Sequence, residues 1–171
     1  VDFLVRAWIE ENIAYKLVII GDGPQKNDIA GYIKNKQAGN RIIMLDFIND
    51  AEANYITSNA VLSLHPSKMY ETFGLSISTS MHLGVPVVSS NIGAQGALVQ
   101  KSGCGWLFVS ENTKSFGAVV REAFANPPAR AAKAEYGRRF AFAEFNQESY
   151  YETIIKVFDK ALNLANKSNA E

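Results

Sequence analysis

The sequence of 171 residues lacks several features that would restrict its function at once. A single cysteine, Cys104, excludes an intrachain disulfide and predicts a reducing compartment, for which we take the cytoplasm. Neither sign of charge is in excess, since 17 Lys and Arg residues balance 17 Asp and Glu residues. Electrostatics therefore give no reason to expect a nucleic-acid partner. No apolar run approaches the roughly 20 residues that a membrane-spanning helix needs.

An initiator methionine is also missing. Apolar residues recur at helical spacing from the start of the chain, at Phe3, Leu4, Ala7 and Trp8, so the sequence opens within an amphipathic helix. We therefore expect a piece of a longer protein, with part of the active site contributed by residues elsewhere.

Short apolar runs bounded by glycine, proline or asparagine alternate with segments of helical periodicity. The predicted strands cover residues 16–20, 41–45, 60–64, 85–88 and 105–109. The predicted helices cover residues 24–36, 50–58, 74–83 and 94–101, and continue from residue 113 with a break at Pro127–Pro128. This alternation predicts an α/β fold with βαβ units on a parallel sheet. We expect one domain over residues 1–165 and a polar tail over residues 166–171.

In such a sheet, ligands bind where the strands end and the next helices begin. The first loop of this kind contains Gly21, Asp22, Gly23 and Pro24. Its glycines allow a ligand to approach the backbone, and the following helix offers free N–H groups. The alternative is an ordinary tight turn. The dinucleotide-binding fingerprint is excluded, because no third glycine follows at the required spacing.

The second loop places Glu71 just before Phe73 and Gly74, at the predicted start of a helix. A carboxylate that binds hydroxyl groups would then lie beside a helix N-terminus that binds anions, and sugar diphosphates present both groups. Alternatively, Glu71 is a solvated loop charge. The third loop, residues 91–96, is rich in glycine and either reaches a ligand or merely connects two elements.

Other reactive side chains form no recognisable site. His65, His82 and Cys104 have no partners at the spacing of metal ligands, so we expect neither a bound metal nor another cofactor. No G-x-S-x-G motif of a serine hydrolase is present.

Several segments, in their order and spacing, resemble a known family. The segments KLVIIGDGP (16–24), AVLSLHPS (60–67) and ETFGLSISTSMHLGVPVV (71–88) look like the C-terminal half of GT-B fold retaining glycosyltransferases of family 4, the glycosyl transferases group 1. The likeness extends from Phe3 to about Leu162. It implies a Rossmann-like parallel sheet flanked by helices that binds a nucleotide-sugar donor, with the N-terminal acceptor domain absent from this chain.

The resemblance also implies roles for individual residues. Glu71 matches the first glutamate of the family's pair, which implies contact with the hydroxyls of the donor sugar and a catalytic role. Phe73, Gly74 and Leu75 match the segment whose backbone N–H groups meet sugar and phosphate. The loop of Gly21, Asp22 and Gly23 (residues 21–23) is expected to contribute to donor binding as well.

At two positions the sequence departs from the family pattern. Thr79 stands where the second glutamate would bind the ribose hydroxyls, and a neutral hydroxyl should bind them more weakly. Asp46 replaces the glycine usual after the second strand, so the resemblance implies a different contact with the base at this position.

The activity implied by the resemblance is transfer of a hexosyl or N-acetylhexosaminyl group from a UDP-sugar, or secondly a GDP-sugar, without a metal cofactor. The acceptor would be a glycan or lipid-linked glycan of a bacterial surface polysaccharide, bound through the N-terminal domain. The intact enzyme would work at the cytoplasmic face of the membrane, and this chain alone would be inactive. Two alternatives remain: a non-catalytic nucleotide-sugar-binding or assembly module, and another GT-B enzyme such as a UDP-sugar epimerase.

Overall fold

A computed structural model describes the backbone of residues 1–168 and the side chains of residues 1–148 and 150–163. Helices and strands alternate through most of this part of the chain, as the sequence predicts. In chain order the elements are α1 (Asp2–Glu10), β1 (Leu17–Ile20), α2 (Lys26–Asn35), β2 (Ile42–Leu45), α3 (Asp50–Ser58), β3 (Ser63–His65), α4 (Leu75–His82), β4 (Val87–Ser90), α5 (Gly93–Ser102), β5 (Gly105–Phe108), α6 (Thr113–Ala125), α7 (Pro127–Glu144) and α8 (Gln147–Ser168).

The described strands form two parallel sheets. In the first, β1 pairs with β2, with Leu17 opposite Ile42. In the second, β3, β4 and β5 lie side by side, with Val87 of β4 between Ser63 and Gly105. The α/β class with parallel sheets flanked by helices is thus confirmed. Because the strands of each sheet are parallel, their carboxyl ends lie at the same edge.

One hydrophobic core joins the two sheets. It contains Leu17 and Ile42 from the first sheet and Val88 from the second. Aromatic rings from helices and β5 fill the centre: Phe108 stacks on Phe3 of α1 at 5.8 Å and meets Phe116 of α6 edge-on at 5.2 Å. The two sheets therefore belong to one folded unit.

The third strand begins later than predicted. Residues 59 and 60 close the end of α3, because the backbone N–H of Asn59 donates to Tyr55 and that of Ala60 donates to Thr57. Strand β3 therefore starts only at Ser63, and β1 and β3 lie in separate sheets with a groove of about 460 Å³ beside them. The sequence pattern predicts a single sheet, whereas the described strands form two.

The fourth strand is shifted by two residues from the predicted range. The N–H of Val85 donates to Ser80 and so closes the end of α4, while Pro86 has no N–H to contribute to a strand. Regular pairing therefore begins at Val87. Gly84 follows the helix at φ +71°, a left-handed conformation that is typical of the end of a helix.

The C-terminal part is helical, as predicted. Helix α7 starts at Pro127 and is capped by Asn126, whose side chain accepts a hydrogen bond from the N–H of Ala129. A second break, between α7 and α8, is not visible in the sequence pattern. Helix α8 continues to Ser168, and the remainder of the predicted polar tail, residues 169–171, lies outside the described residues. In the described part of the chain, no helix is both long and apolar enough to cross a membrane.

Candidate functional site

The segment between β3 and α4, residues 66–74, carries Glu71, and we name it the Glu71 loop. The Glu71 side chain is exposed to solvent. Gly74 ends the loop at φ +85°, a left-handed conformation that favours glycine, and its carbonyl accepts the N–H groups of Ile77 and Ser78. The first N–H groups of α4 have no partner within the helix, which is the arrangement by which helix N-termini bind anions in other proteins. The predicted carboxylate and the predicted helix N-terminus are therefore neighbours in the structure.

The two residues that flank Gly74 have exposed side chains. Leu75 is 73% exposed, and Phe73 is 46% exposed and packs edge-on against Phe145 at 5.2 Å. The resemblance assigns backbone N–H groups, not side chains, to donor binding at these positions. Exposure of both side chains leaves room for a ligand beside the backbone of the loop.

Thr79 lies in the second turn of α4, on the exposed side of the helix. Its hydroxyl donates to the carbonyl of Leu75 at 3.1 Å. Since the proton is used within the helix, the hydroxyl oxygen faces a ligand as an acceptor only. A ribose hydroxyl could donate to it once, whereas a glutamate would offer two charged acceptors.

A hydrogen-bond network ties β3 to α4 through His65. Its Nδ1 lies 3.2 Å from the hydroxyl of Ser76, and its Nε2 lies 2.9 Å from that of Ser63. Ser80 donates to Ser63 at 2.8 Å and extends the network along the helix. Burial lowers the pKa of His65 to about 4, so the ring is neutral at pH 7. The sequence signal is the pair of serines four residues apart in α4, which places both on the face towards the strand.

The loop of residues 21–23 follows β1 and lines a pocket of about 190 Å³ together with Ile19, Lys26 and Met44. Gly21 adopts φ +125° and donates its N–H to Leu45 at the end of β2. The loop is closed by Asp22, whose carboxylate accepts the N–H of Gly23 at 2.7 Å. The predicted donor-binding residues thus form two groups, one at the end of β1 and one at the end of β3.

Asp46, the departure after β2, is paired with a cation. Its carboxylate accepts a hydrogen bond from the ammonium of Lys26, which also lies 3.6 Å from Asp22. The hydrogen bond lowers the pKa of Asp46 and raises the pKa of Lys26. Because these side chains are largely exposed, the pair adds little stability. It links the loop of residues 21–23 to the end of β2, which the sequence alone does not predict.

Among the described residues, no group of three or more His, Cys, Asp or Glu side chains could hold a metal ion. Cys104 is buried, and burial raises the pKa of its thiol, which favours the unreactive protonated form. A ligand at the Glu71 loop would therefore meet mainly hydroxyls, one carboxylate and a helix N-terminus.

The model of the family described as glycosyl transferases group 1 matches residues 1–140. The chain belongs to this family. The match includes both groups of predicted donor-binding residues, residues 21–23 and the Glu71 loop with α4.

Two curated proteins with named activities are similar in sequence to this chain. The O-antigen biosynthesis glycosyltransferase WclY of Escherichia coli is 30% identical over 92 residues, which cover 54% of this chain and 25% of that protein. The N-acetyl-alpha-D-glucosaminyl L-malate synthase of Bacillus anthracis is 26% identical over 151 residues, which cover 86% of this chain and 39% of that protein. The chain therefore spans well under half the length of either relative.

Solved structures show the same fold. Anabaena Alr3699/HepE in complex with UDP-glucose superposes with a TM-score of 0.82 at 21% identity, over 93% of this chain and 44% of that one. The sucrose-phosphate synthase of Thermosynechococcus elongatus superposes with a TM-score of 0.81 at 21% identity, over 95% of this chain and 42% of that one. At this identity the likeness identifies the fold, which is that of GT-B glycosyltransferases.

Proposed function

We propose that this chain is the nucleotide-sugar donor-binding domain, residues 1–165, of a retaining glycosyltransferase of family 4, and that its donor is a UDP-sugar. The observation that carries the proposal is the position of Glu71 in a domain of this family. Its side chain is exposed, and it lies three residues before the left-handed Gly74, which caps the N-terminus of α4. A structural neighbour of the same fold was solved with UDP-glucose. GDP-sugars are the second candidate donors.

The chemistry requires stabilisation of a departing nucleoside diphosphate. Negative charge grows on its phosphate oxygens as the bond to the sugar loosens, and the N-terminus of α4 is oriented to stabilise that charge. The backbone N–H groups of Phe73, Gly74 and Leu75 would approach the sugar and phosphates. Glu71 would accept hydrogen bonds from the sugar hydroxyls and orient the ring for transfer.

The nucleoside would be held at two places. Thr79, in the second turn of α4, would accept a hydrogen bond from the ribose. The loop of Gly21, Asp22 and Gly23 and the adjoining pocket would hold part of the nucleotide, with Lys26 and Asp46 at its rim. No metal cofactor is assigned, because donor binding in this scheme uses the helix N-terminus and side chains.

For the acceptor we propose a glycan or lipid-linked glycan of a bacterial surface polysaccharide. Support comes from the curated relative named for O-antigen biosynthesis. The acceptor site would belong to an N-terminal domain of the complete enzyme, which would act at the cytoplasmic face of the membrane and transfer a hexosyl or N-acetylhexosaminyl group.

The test is the Glu71→Ala substitution in the complete enzyme. Loss of the hydroxyl contacts should lower turnover by about two orders of magnitude, corresponding to a few kcal/mol of transition-state stabilisation. The melting temperature should be unchanged, since the side chain is exposed. Glu135→Ala on α7, also exposed, is the matched control and should keep full activity. An unchanged kcat/KM for Glu71→Ala would return Glu71 to the role of a solvated loop charge.

The alternative of a non-catalytic nucleotide-sugar-binding or assembly module rests on the two departures, Asp46 and Thr79. Titration of the complete protein with UDP-glucose, UDP-N-acetylglucosamine and GDP-mannose, followed by assays of transfer, separates the two functions. Donor binding without turnover would favour the module. Turnover that depends on Glu71 favours the transferase.

A further inference from the structure

The end of β4 and the first turn of α5 contact the Glu71 loop through two buried polar side chains, Ser90 and Gln95. The hydroxyl of Ser90 donates to the carbonyl of Ser67 at 2.7 Å. The amide of Gln95 donates to that hydroxyl at 2.6 Å and to the same carbonyl at 3.4 Å. Ser90 and Gln95 are each 1% exposed. Burying an amide is costly unless it is hydrogen-bonded. The amide of Gln95 is bonded to Ser67 of the Glu71 loop directly and through the hydroxyl of Ser90, so it holds the first part of this loop.

A second contact lies next to Glu71 itself. Gly93 adopts φ +56°, and a Cβ atom built on it would lie 3.2 Å from Cδ1 of Tyr70, 3.3 Å from Cα of Tyr70 and 3.5 Å from the backbone nitrogen of Glu71. The backbone at Tyr70 and Glu71 thus packs directly on a glycine that has no side chain. A Cβ atom at position 93 would require Tyr70 to shift by a few tenths of an ångström.

The loop between β5 and α6 makes further, exposed contacts with the Glu71 loop and with the loop between β4 and α5. Lys68 forms an ion pair with Glu111 at 2.7 Å, and the N–H of Ser110 donates to the side chain of Asn91 at 3.3 Å. Exposed pairs of this kind contribute little energy, so the main restraints on the Glu71 loop are the buried hydrogen bonds and the packing on Gly93.

We propose that Gln95 and Gly93 are positioning residues that hold Glu71 in place for the donor sugar. The inference rests on the proposed role of Glu71 and adds to it the part of the chain that fixes its position. An exposed carboxylate on a loop loses conformational entropy when it binds a ligand, and a loop that is already fixed at both contacts reduces that loss.

The first experiment measures the loop without any ligand. Gly93→Ala is compared with Gly103→Ala, a matched control at the other end of α5 that also has a left-handed backbone, φ +66°, but faces only the ring of Tyr136. Hydrogen exchange of the amides of residues 68–73 should become about tenfold faster in Gly93→Ala and stay unchanged in Gly103→Ala. Equal exchange in the two variants would overturn the proposal.

A second variant covers the case in which Gly93→Ala does not fold. Gln95→Met keeps the approximate size of the side chain and removes its hydrogen bonds to Ser67 and Ser90. It should also accelerate exchange in residues 68–73. No change in this variant would show that the buried amide does not restrain the loop.

The ligand experiment uses the complete enzyme with UDP and UDP-glucose as probes. Glu71→Gln sets the scale, because it should reduce the preference for UDP-glucose over UDP about tenfold. Gly93→Ala and Gln95→Met should reduce that preference similarly and leave the affinity for UDP unchanged, while Gly103→Ala changes neither. A general loss of packing would weaken binding of both probes alike.

The two possible failures are distinguishable. If Glu71→Gln leaves the preference unchanged, the proposed function of Glu71 is wrong, and this inference falls with it. If Glu71→Gln lowers the preference and the variants at positions 93 and 95 do not, the positioning role alone is overturned.

Discussion

At the scale of the residue, Thr79 is the position where this chain differs most clearly from its family pattern. Its hydroxyl already donates to Leu75, so it can accept a single neutral hydrogen bond from a ligand. The neighbouring Ser78 and Ser80 are buried, but Thr79 is exposed. A larger, charged side chain therefore fits at this position without burial of its charge.

We predict that Thr79→Glu tightens UDP binding by about tenfold, because two charge-assisted hydrogen bonds to the ribose replace one neutral bond, a gain of about 1 to 3 kcal/mol. The melting temperature should hardly change, since the substitution is on an exposed face. Calorimetric titration and a thermal melt of the same variant check both statements.

Thr79→Gln is the control for side-chain length without charge, and it should gain less affinity than Thr79→Glu. Equal UDP affinity in the wild type and Thr79→Glu would show that the ribose does not lie beside position 79. A lower melting temperature with flat affinity would indicate a packed face without a ligand.

Single residues were predictable where the signal is local. The placement of Glu71 before Gly74 follows from four consecutive positions of sequence, and α4 begins at Leu75, directly after Gly74. The pairing of Asp46 with Lys26 joins residues 20 positions apart on different elements. No local pattern encodes such a contact, because it depends on how β1, α2 and β2 pack.

At the scale of the element, the position of α4 against β3 depends on a neutral histidine. His65 contacts Ser63 on its own strand and Ser76 in the first turn of α4. Burial lowers its pKa to about 4, below the ordinary value of 6.5, because a charged ring would lose its hydration. The helix whose N-terminus is proposed to face the donor phosphates is thus held by a group that must stay unprotonated.

This geometry predicts how stability depends on pH. In the unfolded chain His65 is protonated as pH falls below about 6.5, whereas in the folded chain it is protonated only near pH 4. The contribution of neutral His65 to the free energy of unfolding is therefore complete above pH 6.5 and is lost as pH falls towards 4. We expect the free energy of unfolding to fall by about 2 kcal/mol more in the wild type than in His65→Gln over this range. Urea denaturation at a series of pH values measures the difference.

His65→Gln keeps hydrogen-bonding groups at the site and removes only the titration, while every carboxylate and His82 remain in both proteins. Parallel pH profiles for the two proteins would contradict the prediction, since they would mean that the folded and unfolded chains protonate His65 alike.

The helices and strands were predictable from the periodicity of apolar residues. Their ends depend on individual hydrogen bonds, which this periodicity does not predict. The strands β1 and β2 follow from local sequence. The late start of β3 does not, because the apolar residues at 60–62 fit a strand equally well, while the pairing with β4 begins only at Ser63. The division of the strands between two sheets depends on how the elements pack, which periodicity does not encode.

At the scale of the whole molecule, the two groups of candidate donor-binding residues lie at the ends of different sheets and pack on different hydrophobic clusters. The cations nearest to these groups already have partners in the chain: Lys26 pairs with Asp22 and Asp46, and Lys68 pairs with Glu111. A diphosphate at this edge would meet the dipole of α4 and backbone N–H groups, but these cations would first have to leave their carboxylates. Strong neutralisation of the charge on the proposed donor would therefore require further groups.

We therefore predict that the 171-residue chain alone binds UDP-glucose weakly and transfers no sugar. A helix N-terminus without additional cations contributes little in water, so the dissociation constant should be high micromolar to millimolar, about 4 to 6 kcal/mol of binding free energy. The chain spans 25% to 39% of its curated relatives, and the acceptor site is proposed to lie in the part that it does not match. Calorimetry with UDP-glucose and a transfer assay with labelled donor and a lipid-linked glycan, run beside the complete enzyme, test both statements. Sugar transfer by the chain alone at the rate of the complete enzyme would show that residues 1–171 contain the acceptor site and would contradict the proposed division of labour.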